Sequence, residues 1–114
     1  MKTLKNLNEV NGFIKQNPLA VLYISAPNCG VCTVMKAKIA DITAQFEPVN
    51  VGTVSVADAP ALASAYHILT APAVLIFANS KEIWRGARFI DVQTMGQMLT
   101  QYVDQYQQFI NENE

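Results

Sequence analysis

Two stretches of the chain are apolar without interruption, Leu19-Ala20-Val21-Leu22-Tyr23-Ile24 and Ala73-Val74-Leu75-Ile76-Phe77. Both have strand length and strand-forming composition, and neither alternates with polar residues. Strands covered on both faces read this way, as in a parallel sheet. Around them the period changes. Leu4, Leu7, Val10 and Ile14 recur at near-helical spacing over residues 3–16, until Asn17-Pro18 stops the segment. Val31, Met35, Ile39, Ile42 and Phe46 step by four, four, three and four, with Thr33, Lys36, Ala40, Thr43 and Glu47 mostly opposite. That pattern predicts an amphipathic helix of about four turns, closed by Pro48. Val49, Val51, Val54 and Val56 predict a strand with a phase slip near Gly52, the mark of a bulge. Asp58 suits the N-cap of a short Ala-rich helix ending about His67, with Pro60 in its first turn. Asn79-Ser80-Lys81 signals a turn. Glu82 to Phe89 then reads as the return strand of a hairpin, and Arg85 and Arg88 suit an edge position. Asp91 can cap a last helix carrying Val92, Met95, Leu99, Tyr102, Tyr106 and Phe109, before a polar tail, Asn111-Glu112-Asn113-Glu114.

Strand and helix therefore alternate until a terminal hairpin. Alternation calls for parallel pairing through right-handed crossovers. The expected fold is α/β, one domain over residues 1–114, with a four-stranded mixed sheet and helices on both faces. A length of 114 residues fits one domain. With 51% hydrophobic and 15% charged residues, the composition is that of a packed domain rather than a disordered chain.

Charge removes several function classes. The formal net charge is −1 and no basic cluster occurs, so nucleic-acid binding has no electrostatic footprint. A polybasic membrane patch is missing too, and no apolar run is long enough to cross a bilayer. After Lys2 and Lys5, the polar residues Asn6, Asn8, Glu9 and Asn11 interrupt what a signal peptide would keep apolar. The expected location is the cytoplasm. There, thiols are kept reduced, and a cysteine pair is more often catalytic or metal-binding than a structural bridge.

The chain has two cysteines, in Cys29-Gly30-Val31-Cys32, where a buried strand gives way to the long helix. Residues i and i+3 are neighbours on one helical turn, near the reach of a disulfide. A helix N-terminus carries partial positive charge and free N–H groups, which favour a thiolate at Cys29. Gly30 lets a partner's backbone approach closely. Cys32, one turn deeper, suits the resolution of a mixed disulfide. A zinc site would want four Cys or His ligands, and the chain offers these two cysteines and His67. A Cys-x-x-Cys within a strand–turn–helix is the stronger signal of redox chemistry.

Nearly the whole chain resembles the thioredoxin family, through Ala26-Pro27-Asn28-Cys29-Gly30-Val31-Cys32 after one strand and Thr70-Ala71-Pro72 before another. The resemblance implies a thioredoxin-like fold and protein disulfide reductase activity. It also implies a cis peptide at Pro72 facing the cysteines, and a groove where Ala71 pairs with an extended substrate. Asn28, Gly30, Ala71 and Pro72 are the implied substrate-binding residues. Cys29 and Cys32 are the implied catalytic pair, with no cofactor beyond their disulfide and no metal. The implied partners are protein disulfides and a reductase such as thioredoxin reductase. The motif departs from the family at four places. Asn28 stands for Trp, Val31 for Pro, Tyr23 for a buried Asp that relays a proton, and Thr53 for the Lys beside that Asp. Tyr23 is a poor base near neutral pH.

Oxidase, isomerase and redox-silent binding-module readings stay open, because fold alone does not fix function. The remaining candidates have plainer expectations. His67 caps the short helix. Trp84, Met95, Met98, Tyr102 and Tyr106 pack. Arg85 and Arg88 are solvated. Lys36 and Lys38 lie on the wet side of the long helix, where Lys36 can add positive potential near the thiols.

Overall fold

In the computed structural model, which describes residues 1–113, the two uninterrupted apolar runs lie side by side at the centre of one sheet. The chain runs β1 (Lys2–Thr3), α1 (Leu7–Gln16), β2 (Leu19–Ser25), α2 (Gly30–Thr43), β3 (Asn50–Ser55), α3 (Leu62–Ala65), β4 (Ala73–Ala78), β5 (Lys81–Ala87) and α4 (Val92–Glu112). The order across the sheet is β1-β3-β2-β4-β5. β1, β3 and β2 are parallel, whereas β4 and β5 are antiparallel to their neighbours.

The apolar runs are continuous because both faces of the sheet are covered. Ala20, Leu22 and Ile24 of β2, with Ala73, Leu75 and Phe77 of β4, pack beneath α1 and α3. The intervening Val21, Tyr23, Val74 and Ile76 pack beneath α2 and α4, against Ile39, Met95 and Leu99. The cysteine-bearing turn between β2 and α2 thus grows from a strand buried along nearly its whole length.

Several expectations need correction. The sheet has five strands, not four: Lys2–Thr3 pairs with Gly52 and Thr53, and both residues are exposed. The first helix begins at Leu7, not near residue 3. Asn6 caps it by accepting from the Glu9 N–H at 2.9 Å, while the Glu9 carboxylate accepts from the Lys5 N–H at 3.1 Å. Gly52 is no bulge, since β2 and β3 stay in register from Ala20–Asn50 to Ser25–Ser55. Its valines change phase because β3 feeds both cores, Val51 to one face and Val54 to the other. The register shift lies elsewhere, between Ile76 and Phe77 against β5.

Asp58 caps nothing. α3 is one turn long, and its N-cap is Ala61 with no side-chain bond. Val31 is 57% exposed and leaves the buried stripe of α2. Thr43, placed opposite that stripe, is buried and donates its hydroxyl to the Ile39 carbonyl at 2.7 Å. α4 continues through Asn111 and Glu112, where the sequence predicts a polar tail. Glu114 of that tail lies outside the described residues. The hairpin turn at Asn79 and Ser80 has φ of 50° and 69°, the left-handed pair that matches strand twist.

Candidate active site

β2 ends at Ser25 and the chain turns through Ala26, Pro27 and Asn28. Asn28 has φ of 57°. Asparagine tolerates that left-handed conformation better than most residues. Cys29 follows as the N-cap of α2, with Cys32 inside the first turn. Their Cα atoms are 5.3 Å apart and the sulfurs form a disulfide. The Cys29 sulfur accepts the Cys32 N–H at 3.2 Å. That N–H also donates to the Cys29 carbonyl at 3.2 Å, and, standing at a helix start, it favours negative charge on Cys29 once the bond opens. Cys29 is half-buried, whereas Cys32 is 5% exposed. The sulfur that a partner can reach is thus Cys29.

An open cleft of about 460 Å³ lies against the pair, lined among others by Tyr23, Asn28, Cys29, Gly30, Cys32 and Lys36. Tyr23 is fully buried at its wall and donates its hydroxyl to the Cys32 carbonyl at 2.5 Å. Burial pushes the Tyr23 phenol above its ordinary value of 10.0, which keeps it a neutral donor near neutral pH. Thr53, opposite Tyr23 in β3, is also buried.

The Ala71–Pro72 bond is cis. Ala73 pairs with Ile24, so Pro72 and the cysteine turn leave the same end of the sheet. Pro72 is buried, and neither it nor Ala71 lines the cysteine cleft. The site residues therefore form two neighbouring groups, Asn28-Cys29-Gly30-Cys32 in one and Ala71-Pro72 in the other. The Pro72 carbonyl accepts the Arg88 N–H at 2.8 Å. Ala71 has neither its N–H nor its C=O bonded to another described residue.

Three features escaped sequence reading. Arg85 is not merely solvated. It donates to the carbonyls of Tyr66 at 2.8 Å and His67 at 3.0 Å, and binds Glu82 at 2.7 Å. The Arg85 hydrogen bond, with its charge, holds the Glu82 carboxyl below its ordinary 4.5. His67 is not a helix cap: it has φ of 54° and lies in the loop that Arg85 clamps. Leu69 and Phe89 are 94% and 89% exposed, one shortly before Pro72 and one just after Arg88. Apolar side chains in a Pro72-adjacent loop were the available signal, but sequence does not show which such residues face water.

Comparison with known proteins agrees with this geometry. The family model described as Thioredoxin matches residues 2–105. The thioredoxin-like protein YdfQ of Bacillus subtilis (strain 168) is 30% identical over 99 residues, which cover 87% of this chain and 88% of that protein. A mutant thioredoxin from Halobacterium salinarum NRC-1 superposes with a TM-score of 0.80 at 20% identity, covering 90% of this chain and 89% of its own. Oxidized mitochondrial thioredoxin 3 from Saccharomyces cerevisiae gives 0.77 at 20% identity, covering 89% and 94%. At such identities the two structures speak for the fold alone. Among the described residues, no helix is long and apolar enough to cross a membrane.

Proposed function

Because the chain belongs to the thioredoxin family, we propose that it works as a thiol–disulfide oxidoreductase in the reducing direction, on disulfides of other proteins. One observation carries the reading: a half-buried Cys29 sulfur, at a helix N-cap and beside an open cleft, is bonded to a buried Cys32.

The reduced pair starts with Cys29 as thiolate. Cys29 attacks one sulfur of a substrate disulfide, forms a mixed disulfide, and expels the other sulfur as a thiolate. Cys32 loses its proton to water in the cleft and attacks the Cys29 sulfur. The second substrate sulfur leaves, the Cys29–Cys32 bond forms, and two electrons have passed to the substrate. Tyr23, a neutral donor, fixes the Cys32 turn instead of taking the proton. A dithiol or a reductase such as thioredoxin reductase returns the two electrons. The pair needs no cofactor beyond its own sulfurs. Cytoplasmic reducing power suits this cycle and its place in redox homeostasis.

Two features favour a protein as substrate. The unengaged N–H and C=O of Ala71 can pair with an extended chain, as sheet edges do. Val31 in the first turn of α2, and Leu69 and Phe89 in loops, are exposed apolar side chains at this end of the sheet. Asn28 and Gly30 border the same approach.

Insulin-disulfide reduction by dithiothreitol, followed by turbidity, tests the proposal. Wild type should accelerate it and Cys29→Ser should not. Cys32→Ser should instead accumulate a mixed disulfide, visible by mass spectrometry. Undiminished turnover by Cys29→Ser protein rules the scheme out, and a wild type without activity leaves the binding-module reading.

A further inference from the structure

Charge is uneven around the cysteine cleft. Among the described residues lining it, Tyr23, the two cysteines and Lys36 are the titratable groups, and Lys36 is the formal charge among them. Helix geometry says where that charge goes. Lys36 stands one turn after Cys32, and residues four apart on a helix are neighbours. Long helical side chains lean back over the turn preceding their own Cα. Lys36 therefore extends toward Cys32 and the N-terminal end of α2. Lys38 falls on another side of the helix and does not line the cleft.

The packed elements bring little competing charge. β2 has Tyr23 as its one titratable residue and β3 has none, while Asp58 stands exposed in the turn after β3, at the same end of the sheet but outside the cleft lining. Asp91, at the start of α4, is engaged by the Gln93 and Thr94 N–H groups and the Thr94 hydroxyl. Asp104 and Glu112 lie farther along α4, and Asp41 more than two turns past Cys32 on α2.

We propose that Lys36 sets the thiolate population and the reduction equilibrium of the Cys29–Cys32 pair, by holding a cation over the cleft that receives the reduced sulfurs. The inference rests on the redox reading above. When glutathione reduces the pair, two glutathione thiols give two electrons and become glutathione disulfide. The Cys29–Cys32 bond opens, Cys32 ends as a thiol, and Cys29 stays a thiolate, its proton going to buffer. A nearby ammonium stabilises that anion and hence the reduced form, and does much less for the uncharged disulfide. Lys36 transfers no proton in this step.

The test compares Lys36→Gln, Lys36→Arg and Lys38→Gln with wild type. Two quantities are read: the pH midpoint of Cys29 alkylation by iodoacetamide in reduced protein, and the equilibrium constant with glutathione. Lys36→Gln should raise the midpoint by roughly half a unit to one unit, and disfavour the reduced pair about three- to tenfold. Lys36→Arg and Lys38→Gln should match wild type. A Lys36→Gln protein matching wild type overturns the inference, as does an equal shift in Lys38→Gln or loss of the effect's rescue in Lys36→Arg. In those outcomes a wild type that equilibrates with glutathione keeps its redox role. A wild type that never equilibrates overturns that role and this inference together.

Discussion

At the scale of residues, the hydroxyl of Tyr23 is the group whose role the sequence could not disclose. In the sequence it stands out as the residue in place of the family's buried Asp and as a poor base, and in the structure it joins the buried cluster of Val74, Ile39 and Met95. Its hydroxyl meets the Cys32 carbonyl only because β2 and α2 fold over each other. We expect Tyr23→Phe to lower stability by about 1 kcal/mol, since the carbonyl keeps its helical acceptor role while one bond is lost. A urea midpoint lowered with an unchanged slope would show it. The cysteines were legible because i, i+3 spacing at a strand-to-helix junction is itself chemistry. Asn28 offered a weaker signal. Asparagine before the first cysteine fits a left-handed turn, but many other residues of its type sit in ordinary backbone.

Elements were legible where burial was symmetrical. β2 and β4 announced themselves because both of their faces are covered. β1 did not, for its two residues are exposed and join the sheet through backbone alone. β3 was misphased for the opposite reason: its valines serve two cores, so alternation looked like a slip. Gly52 is small there because Leu4 and Phe13 lie against it. An added Cβ would meet Leu4 Cδ1 at 2.7 Å and Phe13 Cε2 at 3.0 Å, and both side chains are buried. Gly52→Ala should therefore destabilise the fold by about 1–3 kcal/mol, the usual cost of overpacking. Thermal melting would register it, with Gly12→Ala as the contrasting case, since open space surrounds Gly12.

For the molecule as a whole, acid should weaken the fold through identifiable carboxyls. Bonds from the Thr94 hydroxyl and N–H, then the Gln93 N–H, hold Asp91 below its ordinary 3.8. The Arg85 hydrogen bond acts likewise on Glu82, below 4.5. A carboxyl depressed on folding lends its full stability above the unfolded value and loses it as pH falls through the folded one. The melting-temperature gap between wild type and Asp91→Ala should be constant near neutral pH and narrow as pH falls below 3.8. A gap that widens in acid contradicts this assignment.

The disulfide joins residues three apart in sequence, within one turn at the start of a helix. A link that short encloses almost no chain, so cutting it frees little conformational entropy, about 2 kcal/mol against nearly 5 for a loop of a hundred residues. Oxidised protein should consequently melt at most about 10 °C above reduced protein. The same locality keeps both sulfurs on one helical turn, so opening or closing the bond asks little of the backbone around it. In the proposed cycle, a partner would read the state of the pair at the Cys29 sulfur itself.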